Sequence, residues 1–177
     1  MPEPESRPGH WRHLAARTLD WIEPDQNPAG VVYGTLIVGA VLASESVRRE
    51  TFPDTLGATA LALALYWMAH SYAQTLGRRL DDQIPLSAAG LVRSLVHDRA
   101  IVRGASMPIL ALLIAWAVGA TLATGVLAAI WTSAVSIVAF ELVAGIRAQM
   151  RRAELLLQVC AGAVMGLSVI ALRALLH

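Results

Sequence analysis

ASMPILALLIAWAVGATLATGVLAAIWTSAVSIVAFELVAGI, residues 105–146, decides how this chain folds. Its one charged side chain is Glu141. An α-helix needs about 20 apolar residues to cross about 30 Å of hydrocarbon, rising about 1.5 Å per residue. The stretch holds two such runs, 105–123 and 125–146, joined through Thr124 and Gly125. So short a join predicts an antiparallel hairpin of two membrane spans. A membrane β-barrel would alternate apolar and polar residues, and these runs are continuous.

Three more runs of similar length flank the pair: 29–47 (AGVVYGTLIVGAVLASESV), 55–77 and 154–176. The first is the weakest, because Ser44, Glu45 and Ser46 shorten its apolar part. Two further segments carry apolar residues at helical spacing without the length to cross. One is 10–22, where Trp11, Leu14, Ala15, Thr18, Leu19 and Ile22 share a face and Trp11 and Trp21 bracket the ends. The other is 86–100, with Ala88, Leu91, Val92, Leu95 and Val96 on one stripe. Both read as amphipathic helices in the membrane interface, and 10–22 equally as a soluble amphipathic helix packed on its own protein. The fold class expected is therefore all-α, a polytopic membrane helix bundle of about five transmembrane helices plus two interfacial ones. Residues 29–177 form its single domain. Residues 1–9 are expected to be disordered. The start of the chain lacks the apolar stretch of a cleavable signal, so the first span is expected to act as its own insertion signal.

Composition agrees. Of 177 residues 56% are hydrophobic and 15% charged, and the mean hydropathy is +0.55; globular domains run near 25% charged. A net charge of +1 gives no sign of a nucleic-acid partner. All the basic residues are arginines, and they set an orientation. With the N-terminus inside, the cytoplasmic side carries eleven: Arg7, Arg12, Arg17, Arg78, Arg79, Arg93, Arg99, Arg103, Arg147, Arg151 and Arg152. The far side carries three, Arg48, Arg49 and Arg173. The positive-inside rule then predicts N-terminus in and C-terminus out.

Several chemistries are excluded. The chain has no G-x-x-x-x-G-K-[ST] loop, no HExxH and no GxSxG. The lone Cys160 cannot form an internal disulfide or a two-cysteine redox centre. Histidines and carboxylates are too sparse for a three- or four-ligand metal site. No enzyme activity, cofactor or metal is expected.

The informative residues are polar ones at membrane depth. Tyr66, His70 and Gln74 are spaced i, i+4, i+8 and share a face. Counting from the inner ends of their spans puts Tyr33, His70, Glu141 and Arg103 in one layer, in the inner third of the bundle. An ionised carboxylate in lipid costs at least a few kcal/mol, so Glu141 should face inward and pair. Histidine titrates near neutral pH and suits that pairing. A register clamp, or an interfacial aromatic belt in the case of the tyrosines, would use the same residues. At the outer edge Glu45 and Arg49 stand at i, i+4, the spacing of an ion pair. Gly30 with Gly34, and Gly162 with Gly166, form GxxxG faces that let helix backbones approach closely, within the chain or between copies.

The Tyr33-Gly34 pair, the Tyr66-Trp67-x-Ala69-His70-x-Tyr72 core and the Phe140-Glu141 step resemble those of small multi-pass bacterial membrane proteins without assigned function. The resemblance covers most of the first four spans. It implies a multi-pass helical protein of the bacterial inner (plasma) membrane and carries no activity.

Two functions are expected from different classes. One is a proton- or cation-handling transporter or channel-like protein, with His70 and Glu141 as its protonatable pair, Arg103 as counter-charge, and Tyr33 and Tyr66 beside them. Five spans are few for a pathway, so a homo-oligomer is expected with it. The other is a structural or regulatory subunit without flux, whose interfacial helices dock a protein partner or anionic lipid in the bilayer.

Overall fold

The computed structural model describes residues 28–45, 50–82 and 87–176, and every regular element among them is a helix. In chain order these are α1 (Pro28–Ser44), α2 (Phe52–Asp82), α3 (Ala88–His97), α4 (Arg99–Ala117), α5 (Leu122–Arg147) and α6 (Arg152–Leu176). Three of them, α4, α5 and α6, are long and apolar enough to cross a membrane; α1 is apolar but shorter. Helix α2 is long enough at 31 residues, but Tyr66, His70, Ser71, Tyr72 and Gln74 make it more polar. The amphipathic segment 10–22 lies outside the described residues.

Local chemistry sets the helix ends. Pro28 opens α1, where its missing N–H costs nothing. Thr51 and Asp54 cap α2 reciprocally: the Asp54 N–H donates to Thr51 Oγ1 at 3.4 Å and the Thr51 N–H to Asp54 Oδ2 at 3.2 Å. Ser87 Oγ accepts from the Gly90 N–H at 3.1 Å and starts α3.

The join between α4 and α5 corrects the sequence reading. Thr124 and Gly125 lie within α5, and the turn falls at Val118–Thr121. Gly119 takes φ 74°, the left-handed conformation that ends a helix without steric cost. Thr121 then caps α5 by accepting from the Thr124 N–H at 3.3 Å. A flat apolar profile conceals such a turn, because alanine and leucine run through both sides of it. Likewise α1 stops at Ser44, short of residue 47. The segment 86–100 breaks at Asp98, so α4 begins at Arg99 rather than at 105.

Along the chain α1, α2, α4, α5 and α6 alternate in direction. Gly39 of α1 touches Val169 of α6, and Arg173 reaches the carbonyls of Ala43 and Glu45, so α1 and α6 run parallel. Gly145 abuts Leu155, Gly162 abuts Glu141 and Gly166 abuts Ala134, so α5 and α6 run antiparallel. Phe52, at the start of α2, stacks on Trp116 at the end of α4, with ring centroids 6.1 Å apart.

The shorter apolar helix occupies the centre: α1 packs on α2, α4, α5 and α6. Gly30, Val31, Gly34, Thr35, Val38, Gly39, Leu42 and Ala43 are all buried and form one broad face, while Tyr33 on the other side is exposed. A methyl group on Gly34 would overlap the Ile101 carbonyl, and one on Gly104 would overlap the Val31 carbonyl. The two backbones therefore meet directly. Thr35 Oγ1 spans the same contact, within 2.9 Å of both the Val31 and Gly104 carbonyls. Both GxxxG faces are thus used inside the chain. Outward, the bundle carries a coat of large apolar side chains, among them Ile114, Trp131, Val135, Leu157, Val164 and Leu167. Such a coat suits lipid and not water.

Candidate functional site

Tyr33, His70, Arg103 and Glu141 occupy one depth, as their positions in the sequence imply. Tyr33 sits against His70, with ring centroids 5.7 Å apart. Arg103 is half-buried beside Gly104, which contacts Val31. Glu141 lies two turns, about 12 Å, below Ser133. Ser133 in turn abuts Gly39, two turns above Val31.

Their directions around the bundle differ. His70 is sandwiched by tyrosines: Tyr66, one turn earlier on α2, stacks on it at 5.8 Å, and Tyr33 of α1 tilts against it. Its Nε2 lies 2.9 Å from Gln74 Nε2, so the imidazole nitrogen accepts while the carboxamide donates. Glu141 faces α6. The Gln158 carboxamide donates one N–H to Glu141 Oε2 at 2.6 Å and the other to the Glu141 carbonyl at 3.2 Å. Three of the five residues, Tyr33, Tyr66 and His70, therefore form one cluster. Glu141 forms a second with Gln158.

A third polar cluster joins α2, α3 and α4. Asp98 at the break between α3 and α4 is fully buried, and Ser71 Oγ donates to its Oδ2 at 2.8 Å. Ser94 Oγ donates to the Ser71 carbonyl at 3.2 Å and accepts from Arg78 at 3.3 Å. The Trp67 indole N–H donates to the Leu95 carbonyl at 3.1 Å. This network ties α2, α3 and α4 into one corner. The sequence signal was there: Trp67, Ser71 and Arg78 recur at i, i+4, i+11 on a stripe adjoining Tyr66, His70 and Gln74.

The end of the bundle that holds the α1 C-terminus is organised around backbone. Arg173 Nη1 donates to the Glu45 carbonyl at 2.8 Å and the Ala43 carbonyl at 3.4 Å, a cation on the exposed end of α1 where the helix dipole favours it. The Glu45 carboxyl meets Glu50 instead of a helical partner. Burial, a shared hydrogen bond and the like charge push its pKa up to about 7. Arg49, the expected ion-pair partner at i, i+4, lies outside the described residues.

Among the described residues no three His, Cys, Asp or Glu side chains converge as a metal site would require. No protein-family model matches the chain, and no curated protein or solved structure resembles it.

Proposed function

We propose that this chain is a five-pass membrane protein of the bacterial plasma membrane, N-terminus inside, acting as a structural or regulatory subunit without a conduction path of its own. The alternating helix directions and the eleven-to-three arginine distribution support the five passes and their orientation. One observation carries the functional reading. Between the polar clusters the bundle is filled by close-packed Val38, Leu42, Leu112, Val126, Ala129 and Ile130, all fully buried, and the buried Ser133 hydroxyl among them is turned back on the Ala129 carbonyl at 3.1 Å. Ions and protons need a polar or wet route, and an apolar layer of this kind opposes one.

The test is proton flux into proteoliposomes, read by a trapped pH dye under an imposed potential. Flux at the level of protein-free vesicles is expected for wild type, with Glu141→Gln and His70→Ala no different. Wild-type flux that either substitution abolishes would replace this reading with proton handling. One feature favours that second reading, the imidazole of His70 held between two phenol rings at membrane depth.

A further inference from the structure

Helix α3 is turned inside out. In a helix packed on its own protein in water, the apolar stripe faces the core and the polar side faces solvent. Here the buried positions are Ser94 and, at the helix end, Asp98, both held by the α2 network. Val92 and Val96 stand 59% and 58% exposed, and Leu91 and Leu95 are half-buried beside them. The Trp67 bond to the Leu95 carbonyl holds the helix in that attitude. Arg93 and His97 flank the exposed valines one turn apart, and Arg79 is exposed at the inner end of α2. Neither Arg79 nor Arg93 has an ion-pair partner among the described residues.

We propose that α3 is a binding helix for anionic phospholipid, with Val92 and Val96 in the acyl-chain boundary and Arg93 and Arg79 on headgroup phosphates. This rests on the membrane reading above and names the partner of the inner face. The valines settle the depth, because in water they would be an unrelieved apolar patch. The guanidiniums settle the sign, since a cytoplasmic leaflet carrying anionic lipid attracts each nearby arginine by an amount worth about fivefold in affinity.

The test uses the full chain with Cys160→Ser and a nitroxide on Val92→Cys, in nanodiscs of phosphatidylcholine into which phosphatidylglycerol is titrated. Relaxation by oxygen should come to exceed relaxation by a water-soluble nickel chelate as phosphatidylglycerol rises. Arg93→Gln should move the midpoint about fivefold toward more anionic lipid. Inorganic phosphate at matched ionic strength should change nothing, which separates a headgroup from a free anion. A nitroxide at Val92 that stays nickel-accessible in every lipid overturns the proposal. So does one shielded from both reagents regardless of lipid, the signature of a second copy or other protein on this face. A companion label at Leu167, midway along α6, keeps the two readings apart. If it is nickel-accessible the membrane reading fails, and if it is oxygen-accessible while Val92 is not, the lipid proposal alone fails.

Discussion

The α1–α4 contact and the α2–α3–α4 corner lie within one turn of each other along α4, yet they are built from opposite materials. The first is backbone against backbone, with Gly34 on Ile101 and Gly104 on Val31 and one threonine hydroxyl across the gap. The second is a buried carboxylate, two serines, an arginine and an indole. In lipid, apolar surface gains nothing by leaving one apolar neighbour for another, so close approach must hold the first. The second lies where backbone and side-chain polar groups leave regular helix pairing, and it survives by satisfying them. The contact is thus intolerant of volume, and the corner is intolerant of lost hydrogen bonds.

The largest break should come at the first. Gly34→Leu forces side chain into the Ile101 carbonyl, and overpacking of this kind costs about 3 kcal/mol. Unfolding in mixed detergent should show that loss, with Gly57→Leu, where nothing lies nearby, as the harmless control. Asp98→Ala comes next. It removes the acceptor of Ser71 from a fully buried site, and about 2 kcal/mol is expected by the same measurement. Ser71→Ala takes one donor from the buried Asp98 carboxylate but leaves the carboxylate in place, and should cost about 1 kcal/mol.

Away from both regions the effects shrink. Gln149 ends α5 at φ 51°, a conformation that glycine adopts more readily. Gln149→Gly should therefore raise stability by about 1 kcal/mol. The pH response comes from Glu45, just past the end of α1. The folded state binds the Glu45 proton more tightly than the unfolded chain, so that contribution is fully present below 4.5 and is lost as pH rises toward about 7. Melting temperature should fall slightly across that window, and Glu45→Gln should flatten the fall.

Depth was readable in the sequence and direction was not. Counting residues from the ends of apolar runs placed Tyr33, His70, Arg103 and Glu141 in one layer, because rise per residue is fixed. Which helix each residue faces depends on how the helices are arranged about α1, and hydropathy has no record of that. Glu141 accordingly meets Gln158 on α6, while His70 meets Tyr33 on α1. The same gap hid Asp98. The segment 86–100 reads as an interfacial helix by its apolar stripe, and the Ser71 hydroxyl that binds Asp98 comes from 27 residues away. The turn at Val118–Thr121 was missed for another reason: cap geometry, and not composition, ends a helix in an alanine-rich run.

The most direct test of the account is the sidedness of α2, the most polar of the proposed spans. In a Cys160→Ser background, single cysteines at Pro53, Leu80, Val118 and Gln149 would be exposed to a membrane-impermeant maleimide in intact cells and again after permeabilisation. Five passes with the N-terminus inside predict that Pro53 and Val118 label at once, and that Leu80 and Gln149 label after permeabilisation. Pro53 and Leu80 labelling from the same side would contradict it, since α2 would then lie along the bilayer without crossing it.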